Sequence, residues 1–261
     1  MTTTRKMMTR VLGVMVALAL VAGRLPAEQA DFRWIGTVDS GETLEVKGVN
    51  GTVSVERADG DEAEVTATLE ADRSDPAEVR IERVDHADGV TFCAVYPAPS
   101  GRRANRCAPG DDGRMNVRDN DVEVHFVIRL PADVRFSGRT VNGDVHAQDV
   151  ASDLELVTVN GDVRLRTTGH ARARTVNGSI DAVLGRVDDD LEFETVNGSI
   201  DLDLPDDAGA DLDARWVNGG LDTSLPFTVQ GRLSRTRARG TLGDGGPRLA
   251  LSTVNGSIGI R

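Results

Sequence analysis

The phrase Thr-Val-Asn-Gly-(Ser/Asp)-(Ile/Val) recurs at residues 140–145, 158–163, 175–180, 195–200 and 253–258, and no other feature limits the fold of this chain as tightly. Looser copies, Gly-Val-Asn-Gly-Thr-Val at 48–53 and Trp-Val-Asn-Gly-Gly-Leu at 216–221, extend the set. The repeat asparagines are therefore Asn50, Asn142, Asn160, Asn177, Asn197, Asn218 and Asn255. From Asn142 the steps are 18, 17, 20, 21 and 37 residues, and Arg239-Gly240-Thr241-Leu242 stands where a degenerate copy would divide the last step. Self-similarity at such a period marks a stacked repeat.

Apolar and polar residues alternate on both sides of each Asn-Gly step, as in Leu191 to Thr195 and Ser199 to Leu204. That is the period of half-buried strands, so each unit carries two short strands joined at Val-Asn-Gly. Asn and Gly tolerate positive φ, and the joint reads as a tight turn. This assigns the seven asparagines, with Gly143, Gly161, Gly178, Gly198, Gly219 and Gly256, to structural turns. An antiparallel hairpin meander satisfies the same local pattern. The regular spacing favours the other solution, an all-β single-stranded β-helix or β-solenoid with about 17–21 residues per coil. Equivalent asparagines then stack as amide ladders.

Stacking brings charges into columns. Five residues before the asparagine come Glu155, Arg172, Glu192 and Asp213; three before it come Val157, Arg174, Glu194 and Arg215. Opposite charges alternate, with Arg172 beside Glu155 and Glu192, and Glu194 between Arg174 and Arg215, at a rung spacing of about 4.8 Å. Four residues after the asparagine come His146, Arg164, Asp181, Asp201 and Asp222, joined nearby by Asp203. Asp181, Asp201, Asp203 and Asp222 are weak candidates for calcium, which prefers oxygen ligands; the alternative is a screened acidic face.

The first residues read as an export signal: Arg5, Lys6 and Arg10 precede an apolar run from Val11 to Ala22, then small residues suited to cleavage after Gly23 or Ala27. The run is short for a bilayer span, which needs about 20 residues, and no second one follows, so no transmembrane span is expected after cleavage. No cysteine near the cleavage region supports lipid attachment. The net charge of −12 argues against nucleic acid, and Arg232, Arg235, Arg237 and Arg239 form the nearest approach to a basic stripe. Cys93 and Cys107, the only cysteines, flank a Pro- and Gly-containing excursion and are expected to pair as a disulfide in an oxidising compartment. A metal pair or catalytic thiol fits less well, because they lack Cys-x-x-Cys spacing and none of His86, His125, His146 or His170 is a sequence neighbour.

The first half shows strand signals at 43–47, 49–56, 63–69, 79–84, 90–96 and 122–130, with looser repetition. The resulting organisation is a signal peptide at 1–27, a β region at 28–130 with the disulfide-pinned loop, and regular repeats at 131–261. The early copy at Asn50 suggests that the first half joins the same β system and caps it. The last strand, three residues from the end of the sequence, is expected to offer an edge for self-association.

The repeated hexapeptide, the early Gly-Val-Asn-Gly-Thr-Val and the Leu-Pro-Ala-Asp-Val at 130–134 resemble the bacterial putative-adhesin family of β-strand-repeat domains of unknown function, over about residues 32–261. The resemblance implies an exported or envelope protein of β-solenoid character and transfers no catalytic residue.

No Gly-x-Ser-x-Gly elbow, His-Glu-x-x-His zinc motif or phosphate-cradling loop is present, so catalytic and cofactor-binding residues are expected to be none and no cofactor is implied. Trp216 occupies the Thr column and is expected to pack between coils rather than form a sugar platform. The leading reading is a non-catalytic, periplasmic or envelope-associated protein presenting an acidic β surface to an unknown envelope protein or surface component. The alternatives are an envelope-stress sensor or accessory protein and, in another class, an envelope polysaccharide-modifying enzyme using the Asp column.

Overall fold

The computed structural model describes residues 31–230 and 234–261, and the export signal read at 1–27 lies outside them. The irregular first part supplies β1 (Phe32–Gly36), β2 (Thr43–Lys47), β3 (Val53–Arg57), β4 (Ala63–Glu70), β5 (Arg80–His86), β6 (Gly89–Val95) and β7 (Glu123–Leu130). The repeats supply β8 (Arg135–Arg139), β9 (Val145–Val150), β10 (Leu154–Val157), β11 (Val163–Thr167), β12 (Ala171–Arg174), β13 (Ile180–Leu184), β14 (Leu191–Glu194) and β15 (Ile200–Asp203). The last part supplies β16 (Ala210–Asn218), β17 (Leu221–Thr223), β18 (Phe227–Val229), β19 (Arg237–Leu242), β20 (Arg248–Asn255) and β21 (Ile258–Ile260).

These strands form a β-solenoid of two facing sheets. One runs β1-β4-β7-β3-β9-β11-β13-β15-β21-β17, the other β18-β19-β16-β20-β14-β12-β10-β8-β2-β6-β5. Each coil gives one strand to each sheet, and successive coils pair in parallel, Arg172 beside Glu155 and Asp181 beside Arg164. The strict alternation in β11 and β12 sends every second side chain inward. There Phe126, Phe136, Leu156, Ile180, Phe193 and Ile200 are fully buried between the sheets. Burying such side chains contributes about 1.5–3 kcal/mol each and dominates the stability of the stack.

The first half enters both sheets. β2 lies beside β8 and β3 beside β9 in parallel register, while β4 turns back antiparallel on β7 and β1 on β4. β5 closes the other sheet antiparallel on β6. β1 had no sequence signal assigned to it, and the signal at 49–56 begins too early, because residues 49–52 form the corner before β3.

The far end departs from chain order. β20 lies between β14 and β16, and β21 between β15 and β17, so the coil of Asn255 sits on that of Asn197 and the coil of Asn218 comes last. Three expectations change. Arg239 to Leu242 is no degenerate copy: it belongs to β19, antiparallel on β16. Glu194 registers with Ser252, which separates it from Arg215. The last strand also offers no free edge for self-association, since β21 is hydrogen-bonded on both sides.

Candidate functional site

The corner between the two strands of each coil explains every residue of the hexapeptide. Its Asn side chain donates to the Asn of the coil beneath: Asn142 Nδ2 to Asn50 Oδ1 at 2.9 Å, Asn160 to Asn142 at 2.7 Å, Asn177 to Asn160 at 2.8 Å and Asn197 to Asn177 at 2.8 Å. Asn255 then donates to Asn197 and Asn218 to Asn255, both at 2.7 Å. The threonine two residues earlier is buried and donates its hydroxyl to the glycine carbonyl of the coil beneath. Thr158 bonds Gly143 at 2.8 Å, Thr175 bonds Gly161 at 2.9 Å, Thr195 bonds Gly178 at 2.8 Å and Thr253 bonds Gly198 at 2.9 Å. The Ser/Asp position accepts from the backbone N–H of its counterpart above: Asp144 from Asp162 and Asp162 from Ser179 at 2.9 Å, Ser179 from Ser199 and Ser199 from Ser257 at 3.2 Å. Either residue serves because each offers an acceptor oxygen.

Positive φ accounts for the glycine at some corners only, those of Gly51, Gly143, Gly198 and Gly219. The non-glycine residues with positive φ among those described are Asp119, Asp133 and Asp149, so none of the asparagines adopts the left-handed conformation, and neither does Gly178. A Cβ built on Gly178 would instead collide with the carbonyl of Gly161. Backbones pack against each other at this corner, and only a residue without a side chain permits it.

The valine of the phrase points outward. Val141, Val176, Val196 and Val254 are 37–39% exposed and Val217 is 59% exposed, forming an apolar stripe beside the asparagine ladder. Charged columns flank it. Arg172 pairs with Glu192 at 3.0 Å, Arg174 with Glu192 and Glu194 at 2.9 and 3.1 Å, and Arg164 with Asp162 at 2.7 Å.

The aspartate column does not converge. Gly259 takes the register between Asp201 and Asp222, while Asp181 lies 3.7 Å from the guanidinium of Arg164 and Asp203 lies 3.4 Å from that of Arg261. Among the described residues no group of three or more His, Cys, Asp or Glu is arranged to hold a metal ion. Spacing alone missed this because the Asn255 coil inserts a glycine into the column. Asp213 is held differently: burial alone would raise its carboxyl, but hydrogen bonds from Arg237, Arg239 and Arg215 outweigh that and keep it well below the ordinary range. Arg237 and Arg239 are thus engaged within the fold.

Cys93 and Cys107 form a disulfide, Cα–Cα 5.6 Å, that ties the excursion after β6 to the second sheet. Lys47 donates to the carbonyls of Ala108 (2.6 Å) and Gly110, and Gly110 N–H donates to the buried Glu45 at 3.1 Å. Of the aromatic residues, Trp216 packs in the core, and the Trp34 and Phe92 rings meet at a tilt of 51° with centroids 5.1 Å apart. The Tyr96 hydroxyl donates to the Val122 carbonyl at 2.7 Å, and burial pushes the phenol up to about 12. None forms an exposed platform. Between the excursion and the first corners lies a cavity of about 240 Å³. No helix among the described residues is long and apolar enough to cross a membrane.

Solved structures similar to the chain include a putative cell adhesion protein from Clostridium sporogenes ATCC 15579, 14% identical over 88% of this chain and 98% of that one, TM-score 0.46. A putative adhesin from Bacteroides fragilis NCTC 9343 is 12% identical over 88% and 96%, TM-score 0.38. No curated protein matches. The Toastrack DUF4097 family model matches residues 24–261, nearly the whole sequence, and the chain belongs to that family.

Proposed function

We propose that the chain is a non-catalytic, exported cell-envelope protein whose solenoid surface binds a protein or cell-surface component. The observation that carries this reading is the valine stripe. The Asn, Thr and Ser/Asp side chains of each phrase bond coil to coil, whereas the valine bonds its neighbouring coil only through its backbone, and its side chain stands exposed at Val141, Val176, Val196, Val217 and Val254. A row of apolar side chains on a hydrogen-bonded scaffold suits contact with a partner, because exposed apolar surface gains free energy when covered and the scaffold loses little entropy in doing so. The acidic balance of the chain, with the flanking ion-pair columns, adds electrostatic selection of that partner.

The test uses the purified chain on a support exposed to detergent-solubilised envelope from its source cells. The triple variant Val141→Lys, Val176→Lys and Val196→Lys places three charges on the stripe without touching the core. Retained envelope components should fall at least tenfold. Equal retention by a variant with unchanged circular dichroism would refute the reading. Turnover of envelope glycan by the wild type, abolished in Asp201→Asn, would replace it with the enzymatic alternative.

A further inference from the structure

The cavity beneath the excursion shares Val141 with the valine stripe, but the inference it carries rests on Arg106 and Arg114, which lie outside the stripe. Arg106 and Arg114 face each other in an isolated antiparallel bridge, each N–H donating to the other's carbonyl at 2.9 Å, and both line the cavity. Like charges directly opposite on paired strands are destabilising unless something lies between them. The other cations of the cavity already have partners. Lys47 lies 3.5 Å from Glu45, and Arg139 pairs with Asp111 at 2.9 Å and Glu155 at 3.2 Å. Among the described residues neither Arg106 nor Arg114 meets a carboxylate; the Arg106 guanidinium donates to the carbonyl of Asp112, at 3.0 Å. Two unneutralised guanidinium groups thus share one opening in a chain of net charge −12.

The same lining includes the apolar Val49, Val141, Ala94 and Met115, and the Asp111 carboxylate, which pairs with Arg139. We infer that this cavity binds a carboxylate carried on a short aliphatic group, with Arg106 and Arg114 taking the carboxylate and the apolar residues taking the aliphatic part. The planar guanidinium fork matches a carboxylate in bidentate geometry. An inorganic anion would gain the same guanidinium groups but nothing from the apolar residues, which therefore favour an anion carried on an aliphatic group. The volume equals that of about eight waters, enough for a leucine-sized acid. The same chemistry occurs in a free aliphatic acid and in the C-terminal residue of a peptide.

The test titrates the full chain by calorimetry or amide NMR with four probes: 4-methylvalerate, N-acetyl-leucine, N-acetyl-leucinamide and inorganic phosphate. Binding of N-acetyl-leucine is expected, at least tenfold tighter than that of the neutral amide or of phosphate. Comparable binding of 4-methylvalerate assigns the site to free acids; binding of N-acetyl-leucine alone assigns it to peptide C-termini. Arg114→Gln and Arg106→Gln should each weaken binding about tenfold, while Arg118→Gln, in the excursion but outside the cavity lining, should not. The ligand-free Arg114→Gln protein should melt no lower than wild type, because the substitution relieves a like-charge pair. Equal binding of acid and amide, tighter binding of phosphate, no binding of any probe, or a melting temperature that falls without a change in affinity would each overturn the inference.

Discussion

Thr175→Val tests whether the corner hydroxyls hold the coils together. The side chain is buried, its hydroxyl lies 2.9 Å from the Gly161 carbonyl, and valine keeps its shape. The amide that would complete a regular parallel ladder at this point, that of Ser179, is bonded to the Asp162 carboxylate instead, so the hydroxyl is the donor that serves this carbonyl. Leaving this part-buried carbonyl without its donor costs about 1–3 kcal/mol. The methyl gained in place of the hydroxyl returns up to about 0.8 kcal/mol. The net loss is about 1–2 kcal/mol, and at about 2–4 °C per kcal/mol for a chain of this size the melting temperature should fall by about 2–8 °C. Calorimetry and urea denaturation would measure it, with Thr175→Ser as the companion because it keeps the donor. A Thr175→Val protein within about 0.5 kcal/mol of wild type, or a Thr175→Ser protein that loses as much, would refute the assigned role.

Two further outcomes follow from the corners and the far end. Gly178→Ala should be far more damaging than any threonine variant, since its methyl meets the Gly161 backbone and the coils must separate; lost soluble yield or loss of the cooperative transition would show it. Asp213→Asn should cost about 2 kcal/mol, because three arginines lose their shared carboxylate. Its native pKa lies below the unfolded value of about 3.9, so the contribution is full above that value and lost as pH falls through the native pKa. The stability gap between wild type and variant should therefore stay level from about pH 5 upward and narrow on acidification, as pH-dependent denaturation would show.

The stack was legible because a period of the observed length, with alternation on both sides of Asn-Gly, admits few solutions, and the pairing of Arg172 with Glu155 and Glu192 follows from counting alone. The role of threonine was not legible, since its partner is a backbone carbonyl one coil away and leaves no side-chain signature. The order of the last coils was hidden for a related reason. A strand inserting between two earlier ones is a tertiary event, and the 37-residue step showed only that something intervened. The cavity was out of reach as well, because Arg106 and Val141 become neighbours only once the excursion folds back on the first corners.

The placement of β20 and β21 has a temporal consequence. As the polypeptide becomes available for folding from its first residues onward, coils through Asn197 can be laid down one after another, but the Asn218 segment has no seat until the residues from Arg248 onward arrive to separate it from Asn197. Chain order and assembly therefore run out of step at this end. The Asn218 coil waits for the residues from Arg248 onward, and a polypeptide cut short before Arg248 would lack the layer on which the Asn218 coil rests.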